Sequence, residues 1–196
     1  MANIYKKQAK RKFLTKEYCM NQLIDSLPRI FQAYSDAVDR FNVEIEQTSP
    51  EARIRLVSSL LNAKMIDSFI HHFPTNWRVG RYKRVIFRFD GIQLIIKKLN
   101  KNDKPSSIPT KFWTAITNQE QLSLFKYEEG IEEPIVIFGY TKTASDKIVN
   151  PRIVFFDGER KWKISKEDFV TKPVVINRSE DIELRTKTQK RKRQIK

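Results

Sequence analysis

The apolar residues of this chain change period once, at Trp77, and that change restricts the fold more than any other feature of the sequence. Before it they recur at three- and four-residue steps, the spacing of one helix face. After it they alternate, the spacing of a half-buried strand. Phe31, Tyr34, Val38, Phe41 and Ile45 predict a helix over about 28–47. Pro28 opens it, since proline fits a first turn where its missing N–H costs nothing. Thr48-Ser49-Pro50-Glu51 opens a second helix, with a hydroxyl cap, a first-turn proline and an acid at the positive end of the dipole. Ile54, Val57, Leu60, Leu61, Met65, Ile66, Phe69, Ile70 and Phe73 follow at helical spacing until Pro74. That stripe is wide enough to predict a largely buried helix. Upstream, residues 6–26 are polar and basic with scattered apolar positions, and read as a helix with frayed ends.

Beyond Trp77, residues 85–89 and 92–97 flank Asp90-Gly91. Asp-Gly between two β-branched runs predicts a hairpin, because a type I′ turn needs positive φ at both central positions. Strict alternation puts Ile86 and Arg88 on one face, with Arg84, and Val85, Phe87 and Phe89 on the other. Residues 102–107 read as a loop, and Pro109 opens a short helix to about Gln119 with Phe112, Trp113 and Ile116 inward. A third strand covers 134–141, and residues 152–156 and 161–164 form a second hairpin turning at Asp157-Gly158. Residues 173–176 read as an edge strand.

Helices first and strands afterwards mean α+β. The expected architecture is N-terminal helices, then an antiparallel sheet of two Asp-Gly hairpins with a crossing helix. The expected organisation is a basic helical arm over 1–27, one domain over 28–176 with helices in 28–73 and the sheet in 83–176, and a basic disordered tail over 177–196. A single cysteine, Cys19, forms no internal disulfide and points to a reducing, cytoplasmic compartment. No apolar run approaches the roughly 18 residues of a membrane span, so no membrane partner is expected.

Charge narrows the function. The net charge of +15 is concentrated in residues 1–20, 77–104 and 185–196, leaving the remainder slightly acidic. Clustered cations suit a polyanion, whose binding is driven by counterion release. Around the first hairpin, Trp77, Arg78, Arg81, Tyr82, Lys83, Arg84 and Arg88 interleave rings that stack on bases with cations that track phosphates. In the tail, Lys187, Lys190, Arg191, Lys192 and Arg193 supply a second phosphate-binding run.

Catalytic patterns are incomplete. His71 and His72 are adjacent on a helix, about 100° apart, and do not share a metal as an i, i+4 pair does. Asp90 precedes Lys97 and Lys98, but Ile95 and Ile96 occupy the positions where a metal-dependent nuclease needs its second acid. The turn accounts for Asp90. Cys19 lies in a basic neighbourhood of the kind that lowers thiol pKa, but a buried or idle thiol is the stronger expectation. The five glycines are scattered singly and build no phosphate loop. No catalytic residue, metal ligand or cofactor is assigned.

Ile95-Ile96-Lys97-Lys98-Leu99, a polar loop and Ser106-Ser107-Ile108-Pro109-Thr110 resemble a family of uncharacterised bacterial proteins. Their corresponding stretch reads approximately R-F-K-K-L-D, a few polar residues, then S-S-N-I-P-T. Gly139-Tyr140 and Trp162 resemble that family's later strand and final hairpin, and Arg53 to Phe73 match its upstream helix loosely. The resemblance covers about residues 51–165. Here Ile95-Ile96 replace a basic-aromatic pair, and Ile108 follows Ser107 without the family's Asn. The resemblance implies genes near helix-turn-helix regulators and zinc-peptidase-like proteins of phage, defence or toxin–antitoxin loci, and it implies no catalytic residues.

Three functions are therefore expected to compete. The first is a non-catalytic nucleic-acid-binding accessory protein acting on DNA or RNA. The second is a protein–protein subunit, a toxin or antitoxin partner, that docks through helices 28–73. The third is a metal-dependent nuclease with an unrecognised site.

Overall fold

A computed structural model describes residues 12–80, 83–106, 110–120, 133–143, 147–158 and 160–170, without the side chains of 111 and 112. Helices α1 (Lys16–Gln22), α2 (Leu27–Glu46) and α3 (Pro50–His72) precede strands β1 (Trp77–Val79), β2 (Val85–Phe89) and β3 (Ile92–Lys98). Helix α4 (Lys111–Thr117), strands β4 (Ile135–Lys142), β5 (Ile148–Phe156) and β6 (Lys161–Ser165), and the short helix α5 (Lys166–Val170) follow. The six strands form one sheet in chain order, which is an α+β arrangement.

Local chemistry accounts for the element ends. Ser49 caps α3 by accepting from Ala52 N–H, with Pro50 in the first turn. Thr15 caps α1 and Thr110 caps α4 in the same way. Asp90 (φ 42°) and Gly91 (φ 78°) both lie in the left-handed region that the β2–β3 turn demands. One pairing departs from the expected antiparallel sheet: β3 and β4 are parallel, in the register Ile95↔Ile137. The chain segment carrying α4 returns from the end of β3 to the start of β4, so the two strands run the same way.

One sheet face packs on α2 and α3. Phe69 lies 5.4 Å from Phe87 and 5.2 Å from Phe138, centroid to centroid, and Phe31 and Tyr34 close on Phe138 from α2. Ser68 Oγ donates to the Ala33 carbonyl at 2.8 Å, satisfying a hydroxyl buried between the two helices. Leu14, Cys19 and Leu23 are buried in this same core, ahead of residue 28. Trp162 Nε1 donates to the Leu14 carbonyl at 2.7 Å, and Lys16 pairs with Asp168 at 2.8 Å.

The apolar stripe of α3 is buried or half-buried from Val57 to Phe73, and the exception is its first position, Ile54, which is 86% exposed; Leu56, off the stripe, is 45% exposed. The ring contacts of α3 with the sheet run through its second half, Phe69 to Phe87 and Phe138. The first half has α2 beside it and leaves its outer apolar residues in water, along with Val43 of α2. The expected edge strand at 173–176 and the tail lie outside the described residues.

Candidate functional site

Cross-strand pairing sorts the cations onto one face, because directly paired residues point the same way. Ile86 is buried on the face opposite α2 and α3, with Ile95, Ile137 and Val154. Arg78 pairs with Ile86, so it shares that face, as does Arg88, two residues along β2. Lys97, two residues beyond Ile95, joins them. At the far edge Lys163 pairs with Val154 and Lys161 with Phe156. Four strands of the sheet, β1, β2, β3 and β6, thus present basic side chains from one face.

Helix α4 lies across the middle of that face, with Trp113 and Ile116 against Ile86, Ile95 and Ile137. The Arg84 guanidinium sits 5.1 Å from the Trp113 ring centroid and Lys97 Nζ 5.4 Å, so one indole carries two cations. Burial pushes the Lys97 ammonium below the ordinary lysine range, and the neighbouring Arg84 pushes it the same way. The Lys97 ammonium makes no hydrogen bond or ion pair with a described residue.

Two carboxylates answer part of this charge. Arg88 Nε donates to both Glu133 oxygens, at 2.8 and 2.9 Å, and its Nη2 pairs with the same group. Arg152 Nε donates to Asp103 at 2.6 Å, and Lys163 lies 3.7 Å from Asp103. Gln93, buried beside Arg88, has an Oε1 with no hydrogen-bond partner among the described residues.

Between α4 and the β5–β6 hairpin this face opens into a groove of about 520 Å³, within the range of ligand sites. Lys104, Arg160 and Lys161 supply its cations, Trp113 and Phe156 its rings, and Thr114, Thr117 and Asn118 its neutral polar groups. Each wall is pinned. Gln119, at φ 57°, donates from Nε2 to the Ile135 and Phe156 carbonyls at 2.8 and 2.9 Å, and its Oε1 accepts from Ile135 N–H at 2.9 Å. That fastens the end of α4 to β4 and β5. Asn100 Oδ1 accepts from the N–H groups of Asn102 and Lys104, which fixes the loop carrying Lys104. Asp157 Oδ1 accepts from Arg160 N–H at 2.7 Å, which shapes the hairpin turn.

The expected site residues divide. Arg78, Arg84 and Arg88 come together on the basic face. Trp77 pairs with Phe87 instead and packs half-buried against the helical core, on the other side of the sheet. Lys83 is exposed in the turn between β1 and β2 at φ 55°. Arg81, Tyr82, Lys187, Lys190, Arg191, Lys192 and Arg193 lie outside the described residues. The basic face gains Lys97, Lys104, Arg160, Lys161 and Lys163, which sequence reasoning did not select. The alternation Lys161-Trp162-Lys163-Ile164 carried the signal for two of them.

The alternative chemistries have these placements. Cys19 is buried, as expected, and burial pushes its thiol up to about 12, opposite to the lowering that basic neighbours would supply. His72 Nε2 lies 2.7 Å from Asp36 Oδ2, and this hydrogen bond chiefly holds the Asp36 carboxyl below its ordinary value. Among the described residues no three of His, Cys, Asp or Glu gather as a metal-ligand group, and no helix is long and apolar enough to cross a membrane. No family model, curated protein or solved structure matches the chain.

Proposed function

We propose that this chain is a non-catalytic nucleic-acid-binding accessory protein of a bacterial or mobile-element system, of the phage-defence or toxin–antitoxin kind. The observation that carries the binding is the segregation of charge. Arg78, Arg84, Arg88, Lys97, Lys161 and Lys163 share one sheet face, against Glu133 and Asp103. Cations gathered on one face focus the field that a phosphate backbone answers, whereas scattered cations mainly aid solubility. The genomic setting rests on the resemblance over about residues 51–165.

The test is binding of the full chain to labelled duplex DNA, single-stranded DNA and RNA across a salt series. The proposal expects affinity that falls steeply with salt, by about one unit of log–log slope for each phosphate contact on duplex. Absence of binding near physiological salt overturns it.

A second reading, a subunit that docks a protein partner through α2 and α3, is favoured by one observation. Val43, Ile54 and Leu56 leave apolar side chains in water on the outer part of that helix pair. A complex through this surface survives high salt, which separates it from phosphate binding.

A further inference from the structure

We infer that the groove between α4 and the β5–β6 hairpin is a single-strand site, which seats one unstacked nucleotide with its flanking phosphates. This rests on the nucleic-acid reading above and adds to it the class of nucleic acid.

Three features of the groove converge on that occupant. Its volume, about 520 Å³, suits a nucleoside and not the breadth of a duplex. The ring of Phe156, half-buried at the end of β5, gives the floor an apolar face on which any base can stack. Lys104 and Lys161 line the walls, and neither is paired with a carboxylate among the described residues. Arg160 also borders the groove, but its guanidinium lies over the Phe13 ring at 4.7 Å, and that ring packs on Phe155 of the opposite sheet face.

Other occupants fit the groove less well. A duplex is read by elements that project into a groove of the nucleic acid, but here the aromatic surface is recessed between a helix and a hairpin. An acidic peptide needs the cations and not the ring floor, and it leaves Thr114, Thr117 and Asn118 without base edges to meet. The site is also built before the ligand arrives. Gln119, Asn100 and Asp157 each fix one of its walls through hydrogen bonds to backbone, so little ordering is lost on binding.

The experiment uses the full chain and three 2-aminopurine-labelled oligonucleotides of equal length: single-stranded DNA, the same sequence as duplex, and single-stranded RNA. Lys104→Glu/Lys161→Glu tests the cations, both of which are exposed. Phe156→Leu removes the ring but keeps apolar bulk, and circular dichroism verifies that both variants fold. The inference expects the wild type to prefer single strands, with a change in 2-aminopurine emission. It expects the double variant to lose at least tenfold in single-strand affinity and the leucine variant about fivefold. DNA and RNA arms of similar affinity mean recognition of ring and phosphate, and a preference for either still supports the site. Equal wild-type affinity for single strand and duplex, or single-strand affinity within twofold of wild type in both variants, overturns the inference and leaves the basic face standing. Competition by polyglutamate as effective as by the oligonucleotide also overturns it. Loss of all wild-type binding overturns both this site and the function it rests on.

Discussion

Replacing Gln119 by leucine removes the fastener between α4 and the sheet. Gln119 is buried, and its amide satisfies Ile135 N–H and two carbonyls, those of Ile135 and Phe156. Leucine preserves bulk and apolar contact but bonds none of them. A buried backbone donor left unpaired costs about 1–3 kcal/mol, and a carbonyl with a second lone pair less, so the total comes to about 3 kcal/mol. Glutamine and leucine are both unfavourable at φ 57°, so that conformation contributes little to the difference. For a chain of this size the loss corresponds to about 6–12 °C in Tm. Urea unfolding followed by circular dichroism measures it through the midpoint at unchanged slope. Native-state amide exchange adds a second readout: α4 amides in the variant exchange through local opening well below the global unfolding free energy. A stability loss under about 1 kcal/mol, with α4 protection intact, refutes the assignment of Gln119 as the fastener.

Three further predictions follow from single sites. Gly139→Ala places a Cβ onto Leu99 Cγ and Cδ1, inside the core, and is expected to cost about 1–3 kcal/mol in urea unfolding; in a Leu99→Ala background the added cost shrinks. Lys97→Met is expected to raise stability at neutral pH while weakening nucleic-acid binding and flattening the salt slope by about 0.7–0.9. Its sign follows from linkage: the folded-state pKa lies below the ordinary lysine value, so wild-type stability rises with pH from the folded pKa up to the ordinary one, and the methionine variant lacks this rise. Ile54→Glu, at a position 86% exposed, is expected to shift stability by less than about 0.5 kcal/mol, and a larger loss in thermal unfolding places that side chain in an interface.

Much of this fold is legible locally, and the parts that are not have a common cause. Pro50 after Ser49 and Asp90 before Gly91 mark a helix start and a turn through chemistry contained in a few residues. Alternation in 84–89 correctly put Arg84 and Arg88 on the face of Ile86, since a period of two leaves each strand residue one of two sides. What local pattern does not carry is the neighbour. The exposure of Ile54 follows from the sheet contacts of α3 lying in its second half, a tertiary fact that helical spacing does not encode. Trp113 reads simply as an inner-face aromatic until Arg84, just before β2, and Lys97, on β3, arrive over its ring. The groove is likewise assembled from a loop, a helix and a hairpin far apart in sequence, so Lys104, Arg160 and Lys161 show no common motif. Leu99 and Gly139 belong to the stretches that resemble the bacterial family, and their contact supplies a packing reason for a glycine there.

The claim that binding belongs to one face is tested most directly by two double charge reversals of equal net change. Arg78→Glu/Lys161→Glu alters the basic face at its two opposite edges, β1 and β6. Arg55→Glu/Lys166→Glu alters exposed positions on α3 and α5. Affinity for a labelled single strand near physiological salt is measured for both. The account predicts a loss of tenfold or more with a flatter salt slope for the first pair, and a loss of threefold or less for the second. Equal losses from both pairs contradict it, because binding then follows net charge and not the face on which the charge sits.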